Sequence, residues 1–180
     1  MKQNNWFDPF YINSHLTEEE KNIKKNVNDF CNKELRPSVV EMNRNHQFNK
    51  DLYPKFGEIG VLGQTLKSHG GSGTSNLAYG LVAYEFEKID SSYRSSISVQ
   101  SSLVIHPISE FGSEEQKDKY LPELISGRKI GCFGLTESEA GSDPSSMKTT
   151  FKKIKDGYVL NGSKNWITNA PIADIFIIWA

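Results

Sequence analysis

A stretch of small, polar and turn-forming residues follows a short apolar run in the second half of the chain. The apolar run, residues 130–135, is rich in residues that favour β-strands. The polar stretch after it offers many main-chain N–H groups and hydroxyls, and few bulky side chains block approach to them. It contains three acids and no Lys or Arg, so it is a poor site for a bare phosphate that relies on cationic charge. It suits a ligand held by neutral donors, such as a ring edge or a pyrophosphate bound by main chain, and a long solvated β-turn is the alternative. The stretch comprises Thr136, Glu137, Ser138, Glu139, Ala140, Gly141, Ser142, Asp143, Pro144, Ser145 and Ser146.

A second group with chemical potential lies in residues 93–105. Arg94 offers a forked cation that matches a carboxylate, and a pocket for a simple apolar tail has no use for an unpaired guanidinium. An ion pair with Glu87 or Asp90 at a helix terminus explains Arg94 without a ligand. Five serines alternate with apolar residues here, which allows either a ligand or another helix to approach closely. These serines are Ser95, Ser96, Ser98, Ser101 and Ser102.

Composition excludes several classes of partner. Of 180 residues, 37% are hydrophobic and 24% charged, and the net charge is −1, so we expect no nucleic-acid or membrane partner. No apolar run reaches the length of a transmembrane helix, and the N-terminus resembles neither a secretion signal nor a transit peptide. Cys31 and Cys132 lie among apolar neighbours and are predicted to be buried, reduced thiols of a cytosolic-type compartment. The four histidines have no metal-ligand spacing, so no metal site is predicted.

Helical patterns fill residues 1–127. Two capping boxes, Thr17 with Glu20 and Ser113 with Gln116, predict helix starts, and Gly127 closes the second of these helices. A helix beginning at Tyr93 is expected to end at His106-Pro107, because a residue before proline disfavours the helical conformation. Further caps or breaks are predicted at Asn49, Ser75 and residues 90–92. Upstream of the first helix, four aromatic residues indicate an extended arm with packed anchors: Trp6, Phe7, Phe10 and Tyr11.

After Gly127 the hydrophobic period changes from helical to strand-like. Strands are predicted at residues 130–135, 149–154, 158–161, 166–168 and 175–179, with hairpin turns at Asp156-Gly157 and Asn161-Gly162. Segregated helices and strands imply an α+β chain with two domains, an all-α domain at 1–127 and the beginning of a β domain at 128–180. The final strand is apolar and has nothing after it to pair with or cover it. We therefore expect the chain to be a fragment cut inside the β domain.

Two motifs carry a specific family resemblance. GCFGLTESEAGSD at residues 131–143, followed by NGSKNWITNA at 161–170, resembles the middle domain of the acyl-CoA dehydrogenases, flavin enzymes that oxidise acyl-CoA thioesters. FGSEEQKDKYLP at 111–122 matches the helical N-terminal half of that family in kind. Within the family, EKIDSSYRS at 87–95, running through SVQSSLV to His106-Pro107, is most similar to the glutaryl-CoA dehydrogenases. Ser138 departs from the family pattern, which usually has Pro at this point.

The resemblance implies a fold and a cofactor. The expected fold is an N-terminal all-α domain followed by the start of a β-barrel-like middle domain, with a C-terminal helical domain missing. The expected cofactor is noncovalent FAD. Its ring would meet the aromatic face of Trp166 and the hydroxyls of Thr136 and Thr168, while Ser142, beside Gly141, would lie near the pyrophosphate and the acyl-CoA entrance. Main chain would come from Phe133, Gly134, Leu135 and Ile167.

The resemblance also implies a substrate. Arg94, with Glu87 as a second specificity residue, would bind the remote carboxylate of glutaryl-CoA, and Ser95, Ser98 and Ser142 would contribute to substrate binding. The parent enzyme would convert glutaryl-CoA to crotonyl-CoA by oxidation and loss of CO2. The catalytic base is expected beyond residue 180, so the isolated chain is not expected to catalyse dehydrogenation.

The remaining implications concern partners and alternatives. Electron-transferring flavoprotein is the expected electron acceptor, and the expected assembly is a homotetramer in the bacterial cytoplasm or the mitochondrial matrix. One alternative is a short- or branched-chain acyl-CoA dehydrogenase in which Arg94 is merely structural. The other is a truncated helical module that acts only in assembly or CoA binding.

Overall fold

The structure, a computed structural model, describes residues 8–180. The predicted anchors Trp6 and Phe7 lie outside the described residues. The prediction for Phe10 is wrong, because its side chain is 81% exposed. The chain divides into two compact units, one made of Met1–Asn49 with Thr74–Arg94 and the other of Lys50–Gly73 with Ser95–Ala180.

Helices dominate the described residues as far as Ile125. In chain order they are α1 (Glu18–Phe30), α2 (Val39–Arg44), α3 (Leu52–Glu58), α4 (Asn76–Glu87), α5 (Ser91–Ser98), α6 (His106–Phe111) and α7 (Glu114–Ile125). Two π-helical segments, Cys31–Leu35 and Val99–Ile105, continue α1 and α5, and short 3-10 turns lie at Ile12–His15, Pro144–Ser146 and Ala170–Ile172.

Local capping side chains mark the starts of α1, α4 and α7. Thr17 and Glu20 form the predicted reciprocal box at α1, and Ser113 and Gln116 form the one at α7. Ser75 caps α4 by accepting from the Ala78 N–H at 3.0 Å, as predicted. The prediction for Asn49 is wrong, because α3 begins at Leu52 and Asp51 occupies its N-cap position.

The helix that begins at Ser91 does not end at His106-Pro107. It passes through the π-helical segment and continues as α6 to Phe111. The i→i−5 hydrogen bonds of the π segment reach His106, whose N–H donates to the Ser101 carbonyl, and Pro107 falls in the first turn of α6. Proline is tolerated in the first turn of an α-helix. The prediction of a break overlooked this change of register.

Each unit has its own apolar core. In the first unit, α1 and α4 pack through the rings of Phe30 and Phe86, whose centroids are 6.4 Å apart, and Val27, Cys31 and Val82 are buried. In the second unit, the largest fully buried apolar side chains are Tyr53, Phe56, Leu62, Ile97, Ile105, Leu121 and Leu124. Cys132 is also buried, and burial raises the pKa of Cys31 to about 12 and that of Cys132 above its usual value. The two cysteines are therefore buried free thiols, as predicted.

Four strands follow the helices, which confirms the α+β prediction. They are β1 (Gly131–Gly134), β2 (Thr150–Ile154), β3 (Gly157–Asn161) and β4 (Ile175–Ile178). β2 and β3 form an antiparallel hairpin across the predicted Asp156-Gly157 turn. β1 and β4 pair in parallel, with Gly131 beside Ile175 and Gly134 beside Ile178. The last strand therefore finds its partner in β1, which precedes it in the chain, and Phe176 remains 52% exposed.

Two predictions between β3 and β4 are also wrong. Residues 166–168 form a bend and a turn rather than a strand, and Trp166 has a φ of 59°. Asn161-Gly162 makes no hairpin. A Cβ on Gly162 would stand 2.6 Å from Thr149 Cα, so this glycine allows two backbone segments to approach closely.

The described helices are all too short or too polar to cross a bilayer. Likewise, between residues 8 and 180, no group of three or more His, Cys, Asp or Glu side chains has the geometry to hold a metal ion.

Candidate functional site

The two motifs, residues 131–143 and 161–170, lie side by side in the second unit. The Asn165 N–H donates to the Thr136 carbonyl at 2.9 Å, and the Asn169 side-chain amide donates to the Gly131 carbonyl at 3.1 Å. Residues 165–169 therefore run antiparallel to residues 131–136. This pairing brings together seven of the residues predicted to hold a cofactor: Phe133, Gly134, Leu135, Thr136, Trp166, Ile167 and Thr168.

Trp166 presents its ring to solvent. Its side chain is 93% exposed, and its φ of 59° lies in the left-handed region that bulky residues rarely adopt. An aromatic residue of the core would instead be buried. An exposed indole on a strained backbone is typical of a residue held for a ligand rather than for packing.

A buried ion pair fastens the two motifs together. Lys164 Nζ lies 2.7 Å from Glu137 Oε1, and both side chains are only 9% exposed. The Glu137 carboxylate also accepts from the main-chain N–H groups of Lys148, at 2.7 Å, and Thr149, at 3.0 Å, and from the Thr149 hydroxyl. Lys164 and then Thr149 lower the pKa of Glu137 to about 2.

Sequence reasoning did not identify Glu137 or Lys164 as partners. Each was visible inside its motif, as the acid after Thr136 and the base before Asn165. The missing observation was that two opposite charges, 27 residues apart, flank segments that must meet. Lys164 Nζ also donates to the Leu135 carbonyl at 2.9 Å, so the same cation binds the main chain of the first motif.

Gly141 and Ser142 occupy a different position from the other predicted residues. Both are exposed on the loop that leaves Glu137 and returns at Lys148. Within residues 8–180 no hydrogen bond joins them to residues 165–168. A Cβ on Gly141 would meet no atom within 4 Å, so space alone does not require glycine there. The loop is anchored at its ends, while its tip is accessible to a ligand.

Helical residues of the second unit fix the start of the first motif. The Gln100 side chain is fully buried; its Oε1 accepts from the Gly131 N–H at 2.8 Å. Its Nε2 donates to the carbonyls of Leu124 and Lys129, each at 2.9 Å. One side chain on the π-helical segment therefore holds β1 against the end of α7.

The other end of the second motif is tied to α3 and α5. The Tyr53 hydroxyl lies 2.6 Å from Ser96 Oγ, and Ser96 Oγ donates to Asn169 Oδ1 at 3.3 Å. Burial raises the pKa of Tyr53 to about 12, so this phenol stays protonated and can serve as a donor in the chain of hydrogen bonds. Asn169 thus connects buried helical groups with the Gly131 carbonyl.

Side chains are restricted by close approach at both ends of β1, and most strongly at Gly131. A Cβ on Gly131 would stand 2.5 Å from Val104 Cγ1 and 3.0 Å from Val104 Cβ, so Val104 would have to move. A Cβ on Gly134 would stand 2.6 Å from Ile178 Cδ1, which is the end of a flexible side chain and can shift. Gly131 therefore allows the strand that carries the site to lie close to the π-helical segment.

The predicted substrate residues Glu87 and Arg94 contact each other in the first unit. Arg94 Nε donates to Glu87 Oε2 at 2.7 Å, and the two side chains are 39% and 48% exposed. This ion pair is the structural alternative that the sequence left open, and its exposure leaves the guanidinium within reach of a ligand. Ser95 and Ser98 follow on α5, are half-buried and belong to the other unit.

The assembled residues fit a flat, partly polar ligand. The ring of Trp166, the hydroxyls of Thr136 and Thr168 and the main chain around Leu135 are neutral groups, and the nearby cation of Lys164 is buried and paired. Such a set can stack on a ring system and donate to its edge without fixing a free phosphate.

Comparisons with known proteins match both the helical and the strand-containing parts of the chain. A model described as acyl-CoA dehydrogenase, N-terminal domain, matches residues 17–128, and one described as acyl-CoA dehydrogenase, middle domain, matches residues 132–180. An acyl-CoA dehydrogenase of Bacillus subtilis (strain 168) is 40% identical over 167 residues, which are 92% of this chain and 44% of that protein. The mitochondrial isovaleryl-CoA dehydrogenase of Bos taurus is 40% identical over 168 residues, which are 92% of this chain and 39% of that protein.

A solved structure is similar over nearly the whole chain. The glutaryl-CoA dehydrogenase from Mycobacterium smegmatis in complex with FADH2 superposes with a TM-score of 0.93 at 41% identity, covering 95% of this chain and 44% of that one. The chain thus spans less than half the length of these relatives.

Proposed function

The chain belongs to the acyl-CoA dehydrogenase family, and from that premise we propose that it supplies much of the flavin site of an FAD-dependent acyl-CoA dehydrogenase. The observation that carries the proposal is the exposed Trp166 ring, which follows Asn165 at the point where the Asn165 N–H donates to the Thr136 carbonyl. Bound FAD would supply a hydride acceptor for oxidation of the acyl chain.

The chain's own residues would bind and orient the cofactor. Trp166 would cover one face of the ring system, since an indole stacks well on a flat aromatic partner. The hydroxyls of Thr136 and Thr168, with the N–H groups of residues 133–135 and of Ile167, would donate to its polar edge. Gly141 and Ser142, at the exposed loop tip, would meet the pyrophosphate and the acyl-CoA entrance. No residue of the chain is proposed as the catalytic base.

Glutaryl-CoA is the substrate that we propose. Identity does not separate the candidates, because the glutaryl-CoA and isovaleryl-CoA relatives are 41% and 40% identical. The support comes from Arg94, a forked cation with a 39% exposed side chain that Glu87 orients at 2.7 Å. A remote substrate carboxylate would be a further acceptor for this cation beside Glu87, whereas a branched or short apolar tail offers it no acceptor. Ser95 and Ser98 would add hydroxyl donors from α5.

The substrate proposal is tested by replacing Arg94 in the intact protein as its gene encodes it. Arg94→Ala is expected to lower kcat/KM for glutaryl-CoA roughly 100-fold more than for butyryl-CoA, the effect of losing a charge-assisted bidentate contact. Dye-coupled assays with both substrates give the ratio. Arg128→Ala removes another Arg–Glu pair, also at 2.7 Å, and is the matched control that should leave the ratio unchanged. Equal losses on both substrates would contradict the carboxylate contact and favour a short- or branched-chain enzyme.

A non-catalytic module remains the second candidate, and flavin content separates it from an enzyme. If the purified intact protein has no visible flavin absorbance and does not bind added FAD, the assembly or CoA-binding function is favoured. Bound flavin that glutaryl-CoA reduces supports the dehydrogenase.

The proposed partners follow from the family. Electron-transferring flavoprotein is proposed as the acceptor and a homotetramer as the assembly, in the bacterial cytoplasm or the mitochondrial matrix. Substrate-dependent reduction of that flavoprotein, and a mass determined by light scattering, test the two statements. A protein that reduces only artificial dyes, or that elutes as a monomer, would contradict them.

A further inference from the structure

The Glu137–Lys164 pair joins four separate segments of the second unit. Lys164 Nζ contacts Glu137 Oε1 at 2.7 Å and the Leu135 carbonyl at 2.9 Å, and Met147 Sδ lies 3.9 Å away. The carboxylate in turn binds the N–H groups of Lys148 and Thr149 and the hydroxyl of Thr149. The end of β1, the returning loop, the start of β2 and the second motif therefore meet at one buried junction.

Stability alone is a poor reason to place a charge pair here. Desolvating two ions offsets much of their attraction, and well-packed apolar residues often replace such pairs without loss of stability. An ion pair with all its hydrogen bonds formed instead fixes the relative orientation of the segments that it joins. Each charge-assisted hydrogen bond is favourable only over a narrow range of distances and angles. The contacts of Glu137 and Lys164 leave both side chains 9% exposed and well supplied with partners.

Residues 165–169 need such an anchor because they have little regular structure of their own. They form no strand, and their described links to the first motif are the Asn165 N–H bond to Thr136 and the Asn169 side-chain bond to Gly131. Trp166, between these links, has the unfavourable φ of 59°. Such a conformation persists only where surrounding contacts stabilise it. The anchored Lys164 lies only two residues before Trp166.

We propose that Glu137 and Lys164 are positioning residues that hold Trp166 and the main chain around Thr136 in the geometry that receives the flavin. This inference rests on the proposed function, since the ligand is the FAD of that proposal. Neither residue need touch the cofactor. Their effect is transmitted through Leu135, the Asn165 backbone and the indole of Trp166.

The test compares neutralisation of the buried pair with neutralisation of an exposed pair in the same unit, again in the intact protein. Single changes at the junction leave a buried charge alone and can prevent folding. The double variant Glu137→Gln/Lys164→Met keeps the side-chain shapes and removes both charges, so it is the variant expected to fold. Glu123→Gln/Arg128→Met neutralises a 2.7 Å pair that is 35% and 59% exposed, and is the matched control.

Two readouts report on positioning, and thermal unfolding checks that the variant is folded. In the double variant, hydrogen exchange at the Asn165 amide is expected to become at least about tenfold faster, and FAD affinity, measured by fluorescence titration, to fall at least about tenfold. Each is the effect of losing one charge-assisted hydrogen bond. The control pair should change neither quantity. A folded double variant with wild-type FAD affinity would overturn the proposal.

Coupling to Trp166 separates positioning from a general structural effect. If the pair acts through the indole, neutralising it in a Trp166→Ala background should weaken FAD binding by no more than about threefold. A full additional tenfold loss in that background would contradict action through Trp166. If no form of the protein, wild type included, binds FAD, the proposed function fails. Exchange at Asn165 would still decide whether the pair holds the second motif in place.

Discussion

At the scale of single residues, Trp166 and Glu137 lie in opposite environments, so changing each of them tests a different property of the protein. Trp166 is 93% exposed on a left-handed backbone, whereas Glu137 is 9% exposed and surrounded by donors. The indole contributes little to packing in the described structure, so its removal tests ligand binding. The carboxylate of Glu137 binds several segments, so its protonation tests how much these contacts stabilise the fold.

Replacing Trp166 should separate backbone strain from ring function. Trp166→Gly removes the side chain and relieves the left-handed conformation. Its free energy of unfolding is therefore expected to exceed that of Trp166→Ala by about 1 kcal/mol. Urea titration measures this difference, and both variants should bind FAD more weakly than the wild type. A loss of more than about 3 kcal/mol in Trp166→Ala would instead indicate a buried core role.

Acid should weaken the fold partly through Glu137. Its pKa is about 2 in the folded chain against an ordinary 4.5, so the unfolded state takes up the proton first as pH falls. The contribution of this carboxylate is complete above the unfolded pKa and is lost as pH falls from about 4.5 toward 2. Urea midpoints over this range should fall less steeply for the double variant Glu137→Gln/Lys164→Met than for the wild type. Other carboxyls titrate in both proteins, and parallel curves would contradict the assignment.

At the scale of elements, short-range signals were predicted well and long-range ones were not. The capping boxes at Thr17 and Ser113 need only residues three positions apart, and the structure confirms both. The continuation through Pro107 depends on a π-helical register change, which a proline pattern alone does not reveal.

In the site, too, local patterns and long-range contacts differ in how well the sequence predicts them. Trp166, Ile167 and Thr168 are typical strand residues, but tertiary contacts outweigh that preference. The Asn165 bond to Thr136 and the anchored Lys164 hold the segment in a bend. The motifs identified two segments that the structure brings together, whereas the pairing of Glu137 with Lys164 required the folded arrangement.

Gln100 should be important for the connection between α7 and β1. Gln100→Leu leaves the Gly131 N–H and two carbonyls without their side-chain partner. Each such buried group costs about 1–3 kcal/mol, so we expect a loss of at least about 2 kcal/mol in unfolding free energy. Leu103→Ala, on the same π-helical segment but 37% exposed, is the control and should cost less. Chemical denaturation measures both variants, and equal small losses would contradict this role for Gln100.

At the scale of the whole molecule, the second unit exposes an apolar groove. Pro107, Ile108, Phe111, Phe176 and Trp179 contribute to a cavity of about 460 Å³ beside β4. Phe111 is 87% exposed, and Phe176 and Trp179 are each about half exposed. A contiguous apolar surface beside a short strand promotes association between chains.

Self-association of the 180-residue chain should therefore depend on this groove. Phe176→Asp is expected to shift sedimentation at micromolar concentration toward the monomer, because it places a charge in the middle of the apolar surface. Leu77→Asp changes an apolar residue of comparable exposure, 48%, in the first unit, and should leave sedimentation unchanged. If both variants sediment like the wild type, the groove does not mediate association.

The burial of Lys164 also makes its amine a chemical reporter. Lys152, Lys153 and Lys155 on the hairpin are exposed and will react quickly with an acylating reagent, whereas Lys164 is shielded while its ammonium is bound to Glu137 and Leu135. The rate at which Lys164 is labelled, measured by mass spectrometry, therefore reports how often the junction opens. This single native lysine can thus report the opening of the region in unfractionated material, without an engineered residue.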